Sequence, residues 1–169
     1  MLVPSGVLYA SAAEDDNIPP ISQIIDVLVD GNGNAEVGSI IDFGGGAYAV
    51  KGDLLQTADI HLNGGILIVD GDWNLNSGTL YTEGGKMIVN GTLNMSGGQI
   101  DLSAKEGFND GGSVEIINSS TQYNGVINGG SGSIVFDNDL TQNSSGKINA
   151  GSGTIKITRK LTQNGTIHP

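Results

Sequence analysis

Apolar residues in this chain come as short alternating triplets, each closed by Gly, Asn, Asp or Ser. Leu67/Val69, Trp73/Leu75 and Leu80/Thr82 form one series, and Met87/Val89, Leu93/Met95 and Ile100/Leu102 form the next. The last series is Ile155/Ile157, then Leu161, then Ile167. Alternation at period two puts both ends of a triplet on one face of a strand. The small polar residues between triplets supply turns. Each series therefore predicts three short strands and three corners.

The series repeat. Gly65–Leu75 (GILIVDGDWNL) recurs 20 residues later as Gly85–Met95 (GKMIVNGTLNM). Tyr48–Leu54 is the same unit upstream. Downstream, GSVEI at Gly112 recurs as GSIVF at Gly132 and GTIKI at Gly153, spacings of 20 and 21. Six copies lie between about Gly45 and Pro169. A unit this short cannot bury its own apolar face, but a stack of them can. The pattern predicts an all-β fold: a parallel β-helix, or β-solenoid, with three short strands per coil of about 20 residues. Six coils and an N-terminal cap are expected, with three parallel sheets along a rod. A sandwich of antiparallel hairpins is the competing fold, and it does not require repetition in register.

Three regions depart from the repeat. Residues 1–19 hold an apolar start, an Ala10-Ser11-Ala12 sequence of the small-x-small cleavage form and an acidic EDDNIPP stretch. They are expected to be a signal remnant or a disordered linker. Residues 20–43 are expected to cap or begin the solenoid. There Ile21, Ile24, Ile25 and Leu28 fit a helix, whereas Ile25, Val27 and Val29 fit a strand. Within the solenoid of residues 44–169, the spacing rises from 20 to 27 near 103–110 (SAKEGFND). That insertion is expected to leave a corner as a loop, with Phe108 a candidate exposed contact.

Stacking turns equivalent positions into columns. One inward column runs Leu75, Met95, Gln122, Gln142, Gln163, so the core is expected to change from aliphatic to amide, with the amides bonded to one another. A polar groove for a sugar is the alternative there. An outward column runs Asp53, Asp72, Thr92, Ser119, Asp139, Lys160. Asp53 and Asp72 would repel unless screened by water or bridged by calcium. Asp139 is expected to form a solvated pair with Lys160. Asp30–Glu36 (DGNGNAE) partly matches the start of a calcium loop, but a Gly/Asn turn accounts for it as well.

Composition narrows the function. Of 169 residues 28 are Gly, and none is Cys, which excludes a disulfide framework and thiolate metal clusters. Apolar runs long enough to span a membrane as a helix are lacking. A net charge of −11 disfavours nucleic acid as a partner. The charge is uneven: 11 acids face one Lys through Leu80, and 7 acids face 6 bases after it. Catalytic chemistry finds little material. His61 and His168 lie in different copies, and Arg159 is the single Arg. Asp70 with Asp72, and Asp137 with Asp139, are the candidate carboxylate pairs, and both sit at turns where Asp is common. No catalytic residue, metal ligand or cofactor site is expected, and the chain is expected not to be an enzyme.

The phrase GGKMIVNGTLNMSGGQI at Gly84–Ile100 resembles the Gly/Asn-rich repeats of filamentous-haemagglutinin and autotransporter-passenger β-helices. The resemblance covers about Gly44 to Pro169 and is one of repeat grammar. It implies an extracellular or cell-surface, non-enzymatic role in adhesion or matrix building. Members of that group usually carry many more coils.

The expected function is thus a secreted or cell-surface structural rod or fibre subunit. Its last coil, with Ile155, Ile157, Leu161 and Ile167, is the candidate assembly interface. The partner is expected to be a second copy, joined head to tail into a filament, or further coils of a longer solenoid. A carbohydrate-binding or polysaccharide-degrading β-helix is the alternative, with surface glycans as partners. Tyr81 and Tyr123 are the aromatics outside the core triplets that it would use. Tyr48, Trp73 and Phe136 fall at inward positions. An ice-binding face would need a regular Thr array, which Thr79, Thr82 and Thr92 do not form.

Overall fold

A computed structural model describes residues 27–169. The three-residue alternation seen in the sequence becomes strands of two to four residues, 21 in number among the described residues. They wind into about seven turns of a parallel β-solenoid with three sheets of eight, seven and six strands. The first sheet includes Leu54–Gln56, Trp73–Leu75, Leu93–Met95, Ser120–Gln122, Leu140–Gln142 and Leu161–Gln163. The second runs from Ile41–Asp42 to Thr166–His168, and the third from Ala47–Val50 to Thr154–Ile157. At about 4.8 Å per coil, seven coils give a rod about 34 Å long.

Register follows the repeat residue for residue. In the third sheet Leu67 pairs with Met87, Met87 with Val114, Val114 with Ile134 and Ile134 with Ile155. Each such column points inward, where the apolar ends of all three strands per coil meet in one continuous core. Trp73 and Phe136 fill that core and are fully buried, whereas Tyr48 is half-buried with its ring 5.0 Å from Phe43. Full burial of such side chains contributes about 1.5–3 kcal/mol each.

The solenoid begins one coil earlier than the clear repeats. Ala35–Val37 and Ile41–Asp42 already stand in register with Leu54–Gln56 and Ile60–His61. This first coil uses small and acidic residues at several columns, so it matches the later copies poorly in sequence. Val27–Val29 then pairs antiparallel with Ala35–Val37 and forms the outer strand of the first sheet. Strand spacing therefore describes Val27–Val29. Ile21, Ile24, Ile25 and the expected signal remnant lie outside the described residues.

Corners are built from residues that accept left-handed backbone. Between the second and third sheets the pairs Gly44-Gly45, Asn63-Gly64 and Glu83-Gly84 all have positive φ. Gly98 shows why some corners need glycine: its φ is 68°, and a Cβ there would lie 2.6 Å from the Gly78 carbonyl oxygen. The insertion leaves the corner between the second and third sheets, and register resumes at Ser113 opposite Lys86. Among the described residues no helix is long and apolar enough to cross a membrane.

Candidate functional site

The last coil has the strands and columns of an interior coil without a following layer. Ile134 and Phe136 are fully buried, but their column neighbours Ile155 and Ile157 are only half-buried. Leu161 and Ile167 are 36% and 38% exposed, against 1% for Leu140 and Ile148 beneath them. Ile148, Ile155, Ile157 and Ile167 line an apolar groove of about 400 Å³. The four residues expected at an assembly interface thus share one end of the rod. Their strands also present unpaired backbone groups, the usual template for further strand pairing.

Gln163 marks the same edge. Gln122 donates from Nε2 to its own corner at Gly125 O, 3.1 Å, and to Lys147 O of the next coil, 3.0 Å. Gln142 repeats this with Gly146 O and Thr166 O, both 3.2 Å. Gln163 makes the corner bond to Gly165 O at 3.3 Å, and the described chain has no following coil to supply the second acceptor. The amide column therefore differs from the expected ladder. The amides bond to backbone carbonyls, because two such oxygens flank each Nε2, and the Oε1 atoms of Gln122 and Gln142 are left buried without a donor.

The insertion folds back along the rod. Phe108 is half-buried and lies over Gly64 and Gly84; a Cβ at Gly64 would stand 2.9 Å from its ring. Phe108 thus packs its ring on the corner glycines, which leaves the candidate exposed contact half-buried. Lys105 reaches Glu83 at 3.2 Å and Asn63 Oδ1 at 2.7 Å. Glu83 is 8% exposed and also sits 3.2 Å from His61 Nδ1. Glu83 has φ 48°, a conformation that costs a non-glycine residue energy. The Lys105 ammonium and the hydrogen bond with His61 Nδ1 offset that cost. The sequence offered one signal for this cluster: Gly-Gly, Asn-Gly and Glu-Gly occupy the same corner in successive coils.

Axial hydrogen bonds explain the acidic column. Asn34 Oδ1 accepts from Asp53 N, Asp53 Oδ1 from Asp72 N, and Asp72 Oδ1 from Thr92 N, each at 2.8 Å. Backbone N–H groups thereby offset the repulsion between Asp53 and Asp72. Asp139 meets Lys160 in the same way, accepting from its backbone N–H at 3.1 Å. Asp30 is ringed by donors from Asn34 and Asn32, which hold its carboxyl below the usual value and make DGNGN a hydrogen-bonded turn. Among the described residues no three His, Cys, Asp or Glu side chains are grouped to hold a metal ion.

The candidate carboxylate pairs are engaged between coils. Asp70 accepts from Asn90 Nδ2 at 2.9 Å and Asp137 from Thr158 Oγ1 at 3.3 Å, while Asp72 and Asp139 take backbone N–H groups. Tyr81 stacks on His61, with centroids 4.5 Å apart and planes at 12°. Tyr123 is 56% exposed on its own corner. No family model matches this chain, and neither a curated protein nor a solved structure matches it.

Proposed function

We propose that this chain is a structural β-solenoid of secreted or cell-surface type, an adhesin- or matrix-like rod that joins end to end through its last coil. The observation that carries this proposal is the open coil itself. It combines exposed Leu161 and Ile167, half-buried Ile155 and Ile157, and strand edges from all three sheets. Isolated exposed apolar side chains are ordinary, but a contiguous group on unpaired strand edges marks an association site. The resemblance of GGKMIVNGTLNMSGGQI to extracellular repeats supports the location.

Mechanically, such a rod resists extension through its register. Every interior coil is bonded to the next through three strands and through side chains such as Asp53 and Gln142. Load is shared among many bonds of about 1 kcal/mol each. Light scattering coupled to size exclusion tests the joining, and fractionation of producing cells tests the location. The proposal expects association that grows with concentration, and protein in the medium or on the surface. Monomers at every concentration, or protein confined to the cytoplasm, would overturn the respective half.

A further inference from the structure

The insertion and the corners beneath it bring three reactive side chains together. Lys105 Nζ lies 2.7 Å from Asn63 Oδ1 and 3.2 Å from Glu83 Oε1. Asn63 and Glu83 occupy the same corner in successive coils, and Lys105 reaches both from the insertion. A hydrogen bond of that length leaves the amide carbon about 3.5 Å from the amine nitrogen. Such a separation is within the near-attack range for a bond between them.

The surroundings hold all three in place. Asp42 Oδ1 accepts from Asn63 Nδ2 at 2.6 Å and from the N–H of Gly44 at 2.8 Å. The amide is thereby turned with its nitrogen toward Asp42 and its oxygen toward Lys105. Glu83 is buried, and His61 Nδ1 lies 3.2 Å from both of its oxygens. His61 is itself stacked on Tyr81. Within the insertion, the N–H of Phe108 donates to Lys105 O at 3.0 Å. The Phe108 ring, set on Gly64 and Gly84, therefore fixes the turn that carries Lys105. Gly64 and Gly84 directly follow Asn63 and Glu83, so ring and amine are seated on the same two corners.

We propose that Lys105 and Asn63 join in an isopeptide bond, with Glu83 as the catalytic acid–base. Glu83 takes a proton from the Lys105 ammonium and leaves a neutral amine, the nucleophilic form. Nζ attacks Cγ of Asn63, and the Nζ–Cγ bond forms. A second proton passes from Nζ to Nδ2, the Cγ–Nδ2 bond breaks, and ammonia departs. Ammonia takes the proton held by Glu83 and leaves as ammonium into the solvent around the exposed Lys105. One ammonium is consumed and one released, and nothing is oxidised or reduced. Glu83 stands within the hydrogen-bond reach that proton transfer requires.

The product is a covalent staple. The insertion leaves the coil of Gln99–Asp101, and Asn63 belongs to the coil of Ile60–His61, two coils earlier in the second sheet. The bond ties these coils together in a chain that has no Cys for a disulfide. It is independent of any association at the last coil.

Intact mass spectrometry of the purified, folded chain tests this. The expected mass is about 17 Da below that of the sequence, the loss of one ammonia. Protease digestion is expected to release the Asn63 and Lys105 peptides as one branched species. Lys105→Arg and Asn63→Ala are expected to keep the full masses of their sequences, and Lys86→Arg to show the loss. Glu83→Gln, checked for folding by circular dichroism, is expected to slow the loss about 100-fold or more. An equal rate in Glu83→Gln overturns the role of Glu83. Full sequence mass in the unsubstituted chain, after prolonged incubation at alkaline pH, overturns the bond itself. So does an ammonia loss that persists in Lys105→Arg, because a succinimide at Asn63-Gly64 would give the same mass.

Discussion

The indole N–H of Trp73 donates to Gln56 Oε1 at 3.1 Å, joining two fully buried side chains on adjacent coils. Gln56 Nε2 also donates to Ala58 O at 2.9 Å, so this amide is used at both ends. Gln142 occupies the same column but leaves its oxygen without a donor. Gln56→Leu strands a buried indole N–H and is expected to cost about 1–3 kcal/mol. Gln142→Leu removes an unpaired oxygen along with two bonds and is expected to cost less. Denaturant titration of both variants checks the order.

The strap formed by the insertion is held at two points, and each has its own variant. Lys105→Ala removes the cation beside Glu83, and Phe108→Ala removes the ring over Gly64 and Gly84. Both are expected to raise amide exchange in residues 103–110, while the strands of the second and third sheets keep their protection. Uniform loss of protection along the rod would show that the strap is needed for the fold as a whole.

These two cases also show what could be read from sequence. Alternating triplets in register disclosed three sheets, the inward columns and the site of insertion, because stacking makes each column a repeated test of the same position. Residues 20–43 were expected to cap or begin the solenoid, and the strands of that stretch could not be placed, since Ala35, Glu36 and Asp42 give no recognisable triplet. The strap's fastening was hidden for another reason. Lys105 and Asn63 are 42 positions apart, and only the backbone path of the loop brings them together. Amide bonding was misjudged because corner carbonyls compete for Nε2, and triplet spacing contains nothing about them. The columns of the last coil were legible, because Ile155, Ile157, Leu161 and Ile167 repeat the inward positions of Ile134, Phe136, Leu140 and Ile148.

Acid is expected to loosen the first coils before the last. Asn63 and the N–H of Gly44 hold the Asp42 carboxyl below its usual value of 3.8, and Asn34 and Asn32 do the same for Asp30. A lowered folded-state value gives stabilisation that is present above 3.8 and lost as pH falls through the lower values. Amide exchange near Asp30 and Asp42 should therefore rise below that pH, and Asp30→Asn with Asp42→Asn should flatten the response. A pH profile unchanged by both substitutions would contradict this assignment.

Association through the last coil is the central claim, and sedimentation velocity over a concentration series tests it most directly. The unsubstituted chain is compared with Leu161→Lys/Ile167→Lys, whose circular dichroism and melting should match because both side chains are already exposed. The account predicts a concentration-dependent larger species for the unsubstituted chain and monomer alone for the variant. Identical sedimentation of the two folded proteins would contradict it.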